Sequence, residues 1–115
     1  MANDCIFCAI ANGEMGELVY EDELVAAFND VNPAAPVHVL IVPKAHVDHL
    51  SSEVPAATLQ AMFAAADAIA KATGVDQTGY RLITNIGKDA GQTVMHAHIH
   101  LLGGTHLGAG LLPEA

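Results

Sequence analysis

Fixed positive charge is scarce in this chain. Lys44, Lys71, Arg81 and Lys88 face 13 acidic residues, which leaves a net charge of −9. Nucleic acid binding needs many cationic contacts to phosphate, and anionic membranes attract basic segments, so neither is expected as a partner. A small anionic ligand would have to be held by backbone N–H groups, hydroxyls and imidazoles. Cysteine is scarcer still. Cys5 and Cys8 are the only two, too few for the disulfide framework of a small secreted domain. The longest strongly apolar stretch, about Val37 to Val42, is far short of a membrane span. Met1-Ala2-Asn3-Asp4 holds neither a basic segment nor a signal-peptide core, so a cytoplasmic protein is expected.

What is present is apolar. Of 115 residues 52% are hydrophobic and only 15% charged, the composition of one globular domain with one core. No repeat, linker or low-complexity tract divides it. Asp4 can cap a short helix whose apolar face is Ile6, Phe7 and Ile10, with Gly13 as its stop. Glu17 to Tyr20 and Leu24 to Asn29 read as strands around an acidic turn, and Asp30-Val31-Asn32-Pro33 is a second turn. Val37 to Val42 is the clearest strand. Ser51 or Ser52 opens a long helix, about Val54 to Ala72, in which Leu59, Met62, Phe63, Ala66, Ile69 and Ala70 recur at helical steps. Tyr80 to Ile86 is a further strand, and Asp89-Ala90-Gly91-Gln92 turns the chain into the last one. Short connections favour a mostly antiparallel sheet crossed by the long helix, an α+β fold.

That last strand carries the chemistry. His96, His98 and His100 fall at alternate positions of His96-Ala97-His98-Ile99-His100-Leu101-Leu102. In a strand they share one face, roughly 6–7 Å apart, while Met95, Ala97, Ile99 and Leu101 face a core. Three imidazoles so close resist being charged together, which favours a neutral, nucleophilic ring in the middle. The alternatives are a solvated stripe or a metal site. Upstream, Asn85, Gly91, Gln92 and Thr93 offer uncharged donors and a close backbone approach. The Cys5-x-x-Cys8 spacing leaves three readings: half a zinc site, a redox pair, or two small side chains packed on a helix. No thioredoxin-like context precedes residue 5 to support the redox pair.

The motif resembles the signature of the histidine triad (HIT) family, in which histidines alternate with apolar residues and two apolar residues follow. Gly91-Gln92-Thr93-Val94 and Leu102-Gly103-Gly104 are similar to its HINT-like nucleoside phosphoramidate hydrolase branch. Val39 to His46, with its Pro43-Lys44-x-His46 end, and Cys5-Ile6-Phe7-Cys8 also resemble family segments. The likeness covers about residues 4–104, leaving a tail from 105 to 115.

It implies a HIT-like fold with a five-stranded antiparallel sheet, a homodimer, and hydrolysis of purine nucleoside phosphoramidates to the nucleoside 5′-monophosphate. His98 would be the nucleophile that forms a nucleotidyl intermediate. His100 would bond the phosphoryl oxygens, Thr93 would donate to the departing amine, and His38 would orient the nucleophilic imidazole. Ile6, Phe7 and Ile10 resemble one wall of the base pocket, Phe28 and Val31 the other, and Asp30 the carboxylate that takes the ribose hydroxyls. Cys5, Cys8, His46 and His96 would form a structural zinc site; no organic cofactor is expected. Thr93 stands where the branch usually has serine, Asn29 where animal members often have histidine, and the tail lacks the usual Trp-Pro-Pro-Gly. Two other functions compete. Dinucleoside polyphosphate hydrolysis is disfavoured by Gly103-Gly104, and a non-catalytic nucleotide- or zinc-binding regulatory module by the intact triad and Thr93.

Overall fold

A computed structural model describes residues 5–111; Asp4, expected as a helix cap, lies outside them. Helix α1 spans Ile6–Ala11 and is capped by Cys5, whose Sγ accepts the Cys8 N–H at 3.3 Å. Strands β1 (Tyr20–Glu21), β2 (Val25–Asn29) and β3 (Val37–Pro43) precede helix α2 (Ala56–Thr73), and β4 (Tyr80–Ile83) and β5 (Ile99–Gly103) follow it. All strand pairs are antiparallel, in the order β1-β2-β3-β5-β4. This is the expected α+β, HIT-like architecture: an open five-stranded sheet, one long helix and one short one. No helix among the described residues is long and apolar enough to cross a membrane.

Strand alternation splits the apolar residues between two layers. Val25, Ala27, Val39, Ile41, Ile99 and Leu101 point to one face and meet Met62, Ala65, Ala66 and Ile69 of α2. Ala26, Phe28, Leu40 and Val42 point to the other and meet Phe7 and Ala11 of α1. The sheet is thus covered by α2 on one side and only partly by the six-residue α1 on the other. The uncovered part of that second face is where a ligand can reach the strands. Gly103 marks how tightly the α2 side is packed. A Cβ added there would lie 2.8 Å from Val75 Cγ1, so only glycine lets the end of β5 pass beneath that side chain.

Several boundaries differ from the sequence expectation. The first strand, expected over Glu17 to Tyr20, is Tyr20 and Glu21 only, although the Val19 N–H still donates to the Ala27 carbonyl at 2.8 Å; Asp22 closes the turn after it, its Oδ1 accepting the Leu24 and Val25 N–H groups at 2.8 and 2.9 Å. Neither Ser51 nor Ser52 caps α2. Pro55 does, with no side-chain bond, while Ser51 Oγ accepts the Glu53 N–H in the preceding turn. Gly74, at φ 83°, ends the helix in the left-handed conformation that glycine tolerates. Phe63 is 53% exposed rather than in the core, being one residue past the buried Met62. The β4 strand stops at Ile83 and β5 starts only at Ile99. Thr84 holds the chains together beyond them, its hydroxyl donating to the His98 carbonyl at 2.8 Å.

Candidate active site

The late start of β5 sets the geometry of the histidines. His100 is in the strand and shares the α1 face with His38 on β3, since Leu40 lies opposite His100 and Leu102 opposite His38. His96 and His98 precede the strand and are positioned by backbone contacts, among them the Ala97 N–H to Val47 carbonyl bond at 2.7 Å. All three rings stay on the α1 side of the sheet, where Phe7 meets His96 and His98 edge-on at 6.1 and 5.1 Å and His98 meets His100 at 5.0 Å. His96 turns into the protein and is fully buried, and Met95, expected in the core, is half exposed.

Hydrogen-bond partners assign a tautomer to each ring. The Ala34 N–H donates to His38 Nδ1 at 3.0 Å, so a neutral His38 carries its proton on Nε2. That Nε2 donates to His100 Nδ1 at 2.9 Å, which places the His100 proton on Nε2. His98 Nδ1 lies 2.7 Å from the His96 carbonyl. A carbonyl only accepts, so Nδ1 carries a proton, and in the neutral ring Nε2 holds an unshared pair. His38 thus bonds His100, and not the nucleophilic ring as expected; the side chain of His98 is oriented by a backbone oxygen two residues away. Burial, then the neighbouring His98 and His38, hold His100 below the ordinary histidine pKa, against the pull of Asp30. It is a neutral N–H donor at pH 7.

A cleft of about 650 Å³ opens beside these rings. His98, His100, Thr93, Asn85 and Gly91 line its polar end. Phe7 lines it, meeting His98 edge-on at 5.1 Å and Phe28 at 5.3 Å between ring centroids. Ile6, Ile10 and Phe28 continue the apolar wall. Ile6 is half exposed and Val31 90% exposed, so these two form a rim rather than core. Asp30 also lines the cleft; its Oδ1 accepts the Asn32 N–H at 2.8 Å, and its Oδ2 lies 3.5 Å from His38 Nε2.

Gln92, expected to bind substrate, is not among the lining residues. Its amide is turned into the loop: Oε1 accepts the Gly87 N–H at 2.9 Å, and Nε2 donates to the Asp48 and Val94 carbonyls at 2.6 and 3.1 Å. It braces the turn, with both N–H donors committed to the loop. Leu40, Val94 and Glu17 line the cleft without having been foreseen. Leu40 was within reach, two residues from His38 on the same alternating strand; Glu17 carries no motif.

A second constellation lies behind the cleft. One ligand atom each from Cys5, Cys8, His46 and His96 falls within 4.8 Å of the others. Cys8 Sγ is 3.2 Å from His46 Nδ1 and 3.4 Å from His96 Nδ1, and Cys5 Sγ is 3.3 Å from His96 Nδ1. Tetrahedral zinc with ordinary bond lengths separates its sulfur and nitrogen ligands by about 3.5 Å. The outer partners agree. His96 Nε2 donates to the Pro43 carbonyl at 2.8 Å, and His46 Nε2 is paired with Asp48 Oδ1 at 3.3 Å. Both Nδ1 lone pairs therefore face the thiols, as a metal would require. Without a metal, burial and then Cys5 push the Cys8 thiol up to about 11. Asp30, His38 and His100 also lie within 4.8 Å of one another, but there the Ala34 N–H fixes a proton on the nitrogen a metal would need.

An open antiparallel sheet with linked histidines at one end of a largely apolar cleft defines the class: a histidine-based site. The HIT domain family model matches residues 13–107. The chain is 44% identical over 112 residues to the purine nucleoside phosphoramidase of Escherichia coli strain K12, covering 94% of this chain and 93% of that one. It is 43% identical over 104 residues to protein HitA of Neisseria gonorrhoeae, covering 88% and 96%. A solved HIT family hydrolase from Clostridium thermocellum superposes with a TM-score of 0.91 at 47% identity, over 97% of this chain and all of that one. The chain belongs to the HIT family.

Proposed function

We propose that this HIT protein is a hydrolase of purine nucleoside phosphoramidates such as AMP derivatives, cleaving the P–N bond through a nucleotidyl-His98 intermediate. The observation that carries this reading is the bond between His98 Nδ1 and the His96 carbonyl at 2.7 Å, which makes Nε2 the attacking nitrogen of the neutral ring beside the cleft. Nε2 attacks phosphorus and the P–N bond breaks. The departing nitrogen keeps its bonding pair and takes a proton through the Thr93 hydroxyl. Water then attacks phosphorus, His98 leaves with its bonding pair, and the proton lost by water balances the one taken by the amine. Covalent catalysis thus divides one displacement into two easier ones. His100 Nε2–H, held in place through His38, donates to the phosphoryl oxygens as charge builds on them.

The cleft also supports a single phosphoryl group over a polyphosphate. No lysine or arginine lines it; Lys44 is paired with Glu21 at 2.6 Å, and Arg81 donates to the Gly108 carbonyl. The dinucleoside polyphosphate reading is weaker for that reason. Comparing turnover of an adenosine phosphoramidate with that of a diadenosine polyphosphate tests it directly, and faster turnover of the polyphosphate would overturn the proposal.

Asp30 is the proposed ribose ligand. A charge-assisted hydrogen bond contributes about 1.5–3 kcal/mol, so Asp30→Ala should weaken binding of a ribonucleotide at least tenfold more than that of its 2′-deoxy counterpart. Equal losses in titration calorimetry would remove Asp30 from this role.

Cys5, Cys8, His46 and His96 would hold the metal, proposed to be zinc. When bound it would supply a structural cross-link between α1, the segment after β3 and the approach to β5. The setting proposed is the cytoplasm, where thiols stay reduced. The homodimer that the family resemblance implies belongs to the same proposal. β4 ends the strand order and leaves a backbone edge that a second copy can cover.

A further inference from the structure

The proposed chemistry uses one carboxylate of the cleft and leaves another without a task. Asp30 sits beside the imidazoles, but Glu17 lines the same cleft. Its place is the end remote from phosphorus. Phe7 meets His98 at 5.1 Å, and Ile10 lies one helical turn further along α1, about 5 Å on. Gly16 packs against Ile10, a Cβ built on it falling 3.8 Å from Ile10 Cγ2. Phe7, Ile10 and Gly16 thus lead from the nucleophile along the apolar wall to Glu17. Its side chain is exposed and forms no ion pair among the described residues.

We infer that Glu17 reads the hydrogen-bonding edge of the base and selects guanine over adenine. This rests on the nucleotide reading of the cleft. With phosphorus at His98 and ribose at Asp30, a base between the apolar walls turns an edge toward Glu17. An ionised carboxylate only accepts hydrogen bonds. Guanine presents N1–H and N2–H₂ side by side, two donors that match the two carboxylate oxygens. Adenine presents N6–H₂ next to the lone pair of N1, and that lone pair repels the carboxylate. Selection comes from attraction to one base and repulsion of the other. A glutamine at this position has one donor and one acceptor, which is the pattern of adenine's edge.

The test is calorimetric titration of the full chain with GMP and with AMP, in the wild type and in Glu17→Ala and Glu17→Gln. The wild type should bind GMP about tenfold or more tightly than AMP. Glu17→Ala should bring the ratio toward unity, weakening GMP and strengthening AMP, and Glu17→Gln should favour AMP. The same ratios should appear in kcat/KM for the guanosine and adenosine phosphoramidates. A GMP-to-AMP ratio that is alike in all three proteins overturns this inference and leaves the nucleotide reading standing. If neither nucleotide binds the wild type, both fall.

Discussion

His98→Ala should lower turnover of an adenosine phosphoramidate by about four to six orders of magnitude, while the protein stays folded. The size of the effect follows from the step that is lost. Without Nε2 there is no covalent intermediate, and neither neighbour can replace it. His100 Nδ1 already accepts from His38 at 2.9 Å, which leaves its Nε2 protonated, and His96 is buried with both nitrogens committed. Structure should survive, because the ring's contacts are edge contacts with Phe7 and His100 and a bond to its own chain two residues back. The partner measurement is trapping. Wild-type protein quenched during turnover should carry one nucleotidyl group on the peptide containing His98, located by mass spectrometry, and the variant none. Near-wild-type turnover by the variant, or an adduct on another residue, would end the mechanism. The pH profile adds a sign. His100 is held below the ordinary histidine value, so the acid limb it contributes lies below about pH 6.5. Protonating its Nδ1 there would break the bond from His38 and release the donor that faces phosphate.

How much of this could be read from the chain depended on whether side chains or backbone set the feature. The β3 strand, the long α2 and the alternating histidines were legible because apolar periodicity and imidazole spacing are properties of side chains. Most of the candidate lining was legible for the same reason: Phe7, Ile10 and Phe28 had to be buried somewhere, and the cleft is built from them. The relay polarity was not. It depends on the Ala34 N–H and the His96 carbonyl, groups that every residue carries and that no motif marks. Gln92 was misread because an amide beside imidazoles looks like a ligand contact until the backbone groups that occupy it are located. The start of β5 at Ile99 was hidden too. Alternation predicts a strand wherever it occurs, but pairing with β3 and β4 begins only at Ile99 and His100, and His96 before it is held by the Pro43 carbonyl and the two thiols.

Removing a metal from Cys5, Cys8, His46 and His96 should lower the melting temperature by roughly 10 °C or more. A ligand held at a hundred times its Kd stabilises a fold by about 2.7 kcal/mol, and in a domain of this size each kcal/mol moves the midpoint by roughly 4 °C or somewhat more. The site can deliver this because its four groups already converge to within 4.8 Å and come from three separate parts of the chain. The buried Cys8 thiol, pushed up to about 11 without a metal, has to surrender its proton to bind one. Uptake should therefore release protons, and affinity should fall as the pH is lowered. Elemental analysis of protein purified without chelator should find about one zinc per chain, and Cys8→Ala should abolish it. Turnover of the zinc-loaded enzyme should not respond to added zinc, since His98 Nε2 takes no part in the site. A metal-free protein of equal stability would return Cys5 and Cys8 to plain helix packing. Zinc found on His98 would be more damaging, because a ring nitrogen bound to metal has no pair left with which to attack phosphorus.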